Sequence, residues 1–165
     1  MINQDLKEII LDRLSQISDP EIPVVNIIEM GMIRDVVINE NEIKVILTPT
    51  YSGCPAMRQI EDDIYTMLGK NGFSEVKVET VLSPAWTTDW MSEGTKEKLK
   101  NYGIAPPVKS NSENIFNIIS TNPQVNCPFC GSDKTEMKSY FGSTACKSLY
   151  YCQNCQQPFE HFKCH

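Results

Sequence analysis

The chain has 165 residues, 41% of them apolar and 22% charged, a composition normal for a globular protein with room for one ordinary domain and a small one. A net charge of -6 argues against a nucleic-acid binder, which carries a basic patch. No apolar run approaches the roughly 18–20 residues that span a bilayer, and the N-terminus lacks a basic segment followed by an apolar core, so a cytosolic (cytoplasmic) protein is expected. Seven cysteines in such a chain point to metal or redox chemistry before disulfides, and an odd number leaves one over even if the rest pair.

Residues 3–17 have the spacing of an amphipathic helix, with Leu6, Ile9, Ile10, Leu14 and Ile17 on one stripe and Asn3 or Asp5 as the cap. Pro20 and Pro23 then flank Glu21-Ile22 and forbid helix, which leaves a rigid loop carrying two acids, Asp19 and Glu21. Residues of this kind are ordinary cap and turn formers. Residues 26–30 read as a short turn broken at Gly31. Residues 32–38 and 43–48 read as two strands of a hairpin, joined by the polar turn 39–42.

The stretch 48–57, Thr-Pro-Thr-Tyr-Ser-Gly-Cys-Pro-Ala-Met, is the centre of the sequence. It follows a strand and precedes a helix whose apolar face is Met57, Ile60, Ile64 and Met67 or Leu68. With Pro55 as the first helical residue, Cys54 would sit at a helix N-terminus, where unpaired N–H groups and the helix dipole favour a thiolate. A buried, inert thiol is the plain alternative. The helix is expected to end near Gly69, with a turn at 70–72. Residues 74–82 alternate as a strand, with Val76, Val78 and Thr80 on one face. The order α-β-β-α-β predicts a small α+β domain with helices on one face of a sheet.

Trp86 and Trp90 are expected to cover that sheet. Ser92 caps a short helix running to Lys100, and the Gly/Pro-containing residues 103–125 read as a linker between domains 1–102 and 126–165. The second segment carries two C-x-x-C knuckles, Cys127/Cys130 and Cys152/Cys155, with twenty-one residues between them. Two such knuckles supply four thiolates in tetrahedral array and close the shell of one structural Zn²⁺. An iron–sulfur cluster or a rubredoxin-like iron is the competing occupant. A segment this short needs the metal for much of its stability. Cys146, Cys164, His161 and His165 remain as candidates for a second metal site or alternate ligands.

Asp19-Pro20-Glu21-Ile22-Pro23, Gly31-Met32-Ile33 and 48–55 together resemble the MIP18 (DUF59) family, which is linked to iron–sulfur cluster assembly. Further stretches extend the resemblance over the whole chain: 84–91, 102–107, 127–131, Phe141-Gly-Ser-Thr-Ala-Cys146-Lys147 and Phe162-Lys163-Cys164. With these the chain is similar to the D-subunit family of phenylacetyl-CoA epoxidases, multicomponent oxygenases of phenylacetate catabolism.

The resemblance implies a MIP18-like αββαβ domain followed by a β zinc ribbon. It implies a non-catalytic accessory component that assists assembly or maintenance of iron or iron–sulfur centres. A purely structural or docking component, or a general iron–sulfur assembly factor, is the alternative. It places iron or cluster handling at Cys54, Asp19, Glu21, Thr48 and Thr50, and makes Cys146 and Cys164 part of the family pattern. The expected partners are the oxygenase or reductase subunits or iron–sulfur assembly proteins. One thiolate per chain cannot hold a stable cluster, so transfer would need a homodimer or a partner's ligands. The chain lacks the Glu and Glu-x-x-His ligands of a di-iron oxygenase and the Gly-rich loop of a nucleotide-binding reductase.

Overall fold

The computed structural model describes residues 2–39, 42–107 and 124–163. The chain folds as two compact units, Met1–Ser92 and Glu93–His165. Met1, the centre of the 39–42 turn, residues 108–123, Cys164 and His165 lie outside the described residues. Among the described residues no helix is long and apolar enough to cross a membrane.

The first unit has the expected order: α1 (Ile2–Leu14), β1 (Ile33–Ile38), β2 (Ile43–Leu47), α2 (Met57–Lys70) and β3 (Val76–Thr80). β2 is central, antiparallel to β1 and parallel to β3. The parallel pairing requires a crossover, and α2 supplies it. β2 alternates as a half-buried strand should, with Ile43, Val45 and Leu47 buried. Ile60, Ile64 and Leu68 of α2 and Ile10 and Leu14 of α1 are buried in the same core. Ile9, placed on the α1 stripe by spacing, is 49% exposed. Helix α1 stops at Leu14, but its last turn tightens through Ile17 N–H to the Leu14 carbonyl, so Ile17 is still buried.

Trp86 is buried and donates its indole N–H to the Met30 carbonyl at 2.8 Å. The Arg34 guanidinium lies 3.5 Å from the centre of the Trp90 ring. The turn before β1 is closed reciprocally: Asn26 N–H donates to Glu29 Oε2, and Glu29 N–H donates to Asn26 Oδ1.

The second unit holds α3 (Glu93–Asn101), β4 (Ile104–Ala105), β5 (Thr135–Ser139), β6 (Lys147–Cys152) and β7 (Pro158–Phe162). Its sheet runs β4-β7-β6-β5. The linker expected from residue 103 onward therefore contains a paired strand, since Ile104 and Ala105 pair with Glu160 and His161 and are buried. Backbone pairing and burial outweigh the Gly/Pro composition there. The core is Ala105, Val125, Cys127, Tyr150, Cys152 and Phe159, with Tyr150 and Phe159 stacked at 5.7 Å.

His161 is 4% exposed, and its Nε2 has no hydrogen-bond partner among the described residues. Burial, with a smaller contribution from the Lys163 ammonium, depresses its pKa to about 4 from the usual 6.5. The unfolded chain therefore binds a proton between these values that the folded chain does not, and stability falls as pH drops from about 6.5 toward 4. The loss should reach about 2 kcal/mol at pH 5. Urea midpoints at pH 7.5 and pH 5 for wild type and His161→Gln test this: the pH-dependent loss should be smaller in the variant, and an equal loss in both would refute it.

Candidate iron-handling loop and metal centre

The strand-to-helix loop after β2 is buried at its root. Thr48 donates its N–H to the Met32 carbonyl at 2.8 Å, which extends the ladder by one residue, and Thr48, Pro49 and Thr50 are all buried. Thr48 is 1% exposed, and its hydroxyl finds no hydrogen-bond partner among the described residues. A turn then closes from Cys54 N–H to the Tyr51 carbonyl at 3.0 Å. Helix α2 begins later than Pro55. Its N-cap is Ala56, already in helical conformation, and no side chain caps it.

The Cys54 sulfur accepts hydrogen bonds from the N–H groups of Ala56 and Met57, the helix-start donors that the sequence leads one to expect. Their effect is outweighed. Burial first, then the charges of Glu21 and Asp19, push the Cys54 thiol above its ordinary value. The expectation of a resting thiolate is thus corrected: dehydration and two carboxylates dominate the helix end. The acids belong to the proline-flanked loop. Asp19 is 8% exposed, and its Oδ1 accepts the N–H groups of Glu21 and Ile22, each at 2.8 Å. This is the turn-forming role that the residue type predicts. It also fixes Asp19 within electrostatic range of Cys54.

In the second unit the sulfurs of Cys127, Cys130, Cys152 and Cys155 lie within 4.8 Å of one another. The contacts Cys127–Cys155 and Cys130–Cys152 are each 3.6 Å. Tetrahedral zinc with Zn–S bonds of about 2.3 Å sets its sulfurs about 3.8 Å apart, so the donors fit the ion in number, chemistry and spacing. Among the described residues this is the one group of potential ligands so gathered. Asp19, Glu21 and Cys54 do not converge in that way, and neither Cys146 nor His161 joins the cluster.

Both knuckles curl alike. Gly131 N–H bonds the Cys127 carbonyl and Gln156 N–H bonds the Cys152 carbonyl, each at 2.9 Å, with the turning residue left-handed in both (φ 73° and 60°). Glycine suits that conformation; Gln156 adopts it without the same freedom. Hydrogen bonds from Ser132 N–H and the Asn154 side-chain amide bring Cys130 down to about 6. Burial, and hydrogen bonds to Cys152 and Cys127, push Cys155 up to about 12. Four thiols so close cannot all ionise without a cation, which is the demand a structural zinc meets. Asn154, whose amide lies 3.7 Å from Cys130 Sγ, is a contributor that sequence reasoning misses. Its place inside the second C-x-x-C is the available signal.

Cys146 lies elsewhere in this unit. It is buried immediately before β6, with the Thr144 hydroxyl 3.1 Å from its sulfur and its carbonyl accepting Lys163 N–H.

Residues 7–81 match the family described as iron-sulfur cluster assembly protein, and residues 112–163 match the PaaD zinc beta ribbon domain. A relative in Escherichia coli (strain K12), provisionally named as the D-subunit of a 1,2-phenylacetyl-CoA epoxidase, is 46% identical over 151 residues, covering 92% of this chain and 88% of its own. The chain belongs to the phenylacetyl-CoA epoxidase D-subunit family. This family member is also 35% identical over 99 residues to an Fe-S protein maturation auxiliary factor of Bacillus subtilis (strain 168), covering 58% of this chain and 94% of that one. A crystal structure of a DUF59 domain from Bacillus anthracis aligns with a TM-score of 0.55 at 30% identity, over 58% of this chain and 92% of that one. The two parts of this D-subunit chain are thus an α+β domain of DUF59 type and a C-terminal zinc ribbon whose four cysteines form a metal site.

Proposed function

We propose that this D-subunit family member is a non-catalytic accessory component that assists assembly or maintenance of iron or iron–sulfur centres in the phenylacetyl-CoA epoxidase. Cys54 is the transient iron ligand, supported by Asp19 and Glu21, with Thr48 and Thr50 lining the loop. The observation that carries this reading is a half-buried thiol facing helix-start N–H groups, with two carboxylates in electrostatic range. Two negative charges that disfavour a bare thiolate favour a cation bound to it. An unpartnered buried hydroxyl at Thr48, a group that costs about 1–3 kcal/mol to leave unsatisfied, adds a site for a bound group's polar ligands. A single thiol gives a weak, exchangeable site, which suits transfer more than storage. The E. coli relative's name and the B. subtilis maturation factor support the same assignment. The metal-held unit is the docking module, and its exposed Tyr140 and Phe141 (55% and 61%) support that role.

Ferrous iron binding by the anaerobic, zinc-loaded chain tests the site. Because the resting thiol is protonated, iron displaces a proton, and affinity should rise about tenfold per pH unit below the thiol's pKa. Cys54→Ala should abolish the binding, and Asp19→Asn with Glu21→Gln should weaken it. Retention of iron by Cys54→Ala with unchanged affinity would sink the assignment.

A further inference from the structure

The four sulfurs of the metal centre differ sharply in access. Cys152 is 0% and Cys127 1% exposed, Cys155 is half-buried, and Cys130 is exposed. Hydrogen bonding does not rank them. Cys127 accepts N–H groups of Cys130 and Phe129, Cys130 those of Ser132 and Asn154, and Cys155 that of Gln157. Access therefore decides which sulfur an external reagent meets. Behind Cys130, 3.6 Å away, lies Cys152, which nothing outside the cluster can reach.

We propose that Cys130 is the point at which peroxides and soft electrophiles attack the metal centre, and that Cys152 resolves the oxidised form as a disulfide, releasing zinc. The Cys130 thiolate attacks one oxygen of hydrogen peroxide: an S–O bond forms, the O–O bond breaks, and the departing hydroxide takes a proton to become water. The Cys152 thiolate then attacks the Cys130 sulfur: the S–S bond forms, the S–O bond breaks, and a second hydroxide is protonated to water. Two electrons pass from the two thiolates to one peroxide, and the ion keeps only Cys127 and Cys155. The sulfurs need to close from 3.6 Å to the about 2.05 Å of a disulfide, a movement within reach of two facing turns. A structural zinc with half its shell does not stay bound. Because β6 ends at Cys152 and its Tyr150 stacks on Phe159, loss of the ion opens this unit's core.

The zinc-loaded full chain is treated with one equivalent of hydrogen peroxide, zinc release is followed with a chromogenic chelator, and the disulfide is mapped by mass spectrometry without reduction. In parallel, iodoacetamide labelling of untreated protein is mapped over time. The expected results are one zinc released per Cys130–Cys152 bond, and Cys130 alkylated about tenfold faster than the other three ligands. A predominant Cys127–Cys130 or Cys127–Cys155 bond, first labelling at another ligand, or zinc retained while only Cys54 or Cys146 oxidises would each overturn the proposal.

Discussion

Removing the metal, by a strong chelator or by Cys152→Ser, is expected to unfold residues 124–163 and leave the first unit intact. Among the described residues, the buried cluster beside the metal site holds six residues, two of them metal-site cysteines, Cys127 and Cys152. Those two cysteines are part of both the knuckles and the core, so releasing the ion takes the core with it. A structural zinc contributes roughly 10–16 kcal/mol in small metal-folded modules, more than the net stability of most domains. The first unit has its own core on a three-stranded sheet, and the B. anthracis domain of that size is a structure in itself. Amide NMR spectra with and without chelator check this. Resonances of β5–β7 should collapse while those of α1, α2 and β1–β3 persist. Dispersed β5–β7 resonances in the zinc-free chain would contradict it.

Gly31→Ala should be the most damaging single-methyl change in the first unit. Gly31 has φ +68°, a conformation that costs an L-residue about 1–2 kcal/mol. A Cβ there would lie 2.7 Å from Trp90 Cβ and 2.8 Å from the Trp90 carbonyl oxygen. Neither is the far end of a flexible side chain, and the Trp90 ring is held under Arg34. Strain and overpacking together should cost about 3 kcal/mol or more. Gly72 is the internal control: its φ is +89°, but nothing lies within 4 Å of its would-be Cβ. Gly72→Ala should cost only the conformational part, about 1–2 kcal/mol. Denaturant midpoints for both variants decide it, and equal losses would mean that the Trp90 contact carries no weight.

The contrast between these glycines shows where sequence reasoning succeeds. Turn residues announce themselves, so Gly31 and Gly72 both read as breaks. What separates them is a tryptophan fifty-nine positions downstream of Gly31, which local pattern does not reveal. The α2 face is legible because Ile60, Ile64 and Leu68 recur at helical spacing. The metal ligands are legible because two thiolates from one tight turn demand the C-x-x-C spacing. Strand β4 is not, because two residues beside prolines carry no period and only pairing with β7 makes them a strand. At Cys54 the local signal of a helix start is real. Burial first, and then the charges of Glu21 and Asp19 more than thirty residues earlier, reverse the expected protonation.

The most direct measurement is the iron and acid-labile sulfide content of the proposed partners, the oxygenase and reductase subunits of the epoxidase, purified anaerobically from cells carrying wild-type chain or Cys54→Ala. Zinc content of the variant confirms that its second unit is intact. Iron is expected to fall in these proposed partners while the variant keeps its zinc. Partner subunits with full iron and sulfide beside a zinc-loaded Cys54→Ala chain would contradict it and leave a structural or docking role in its place.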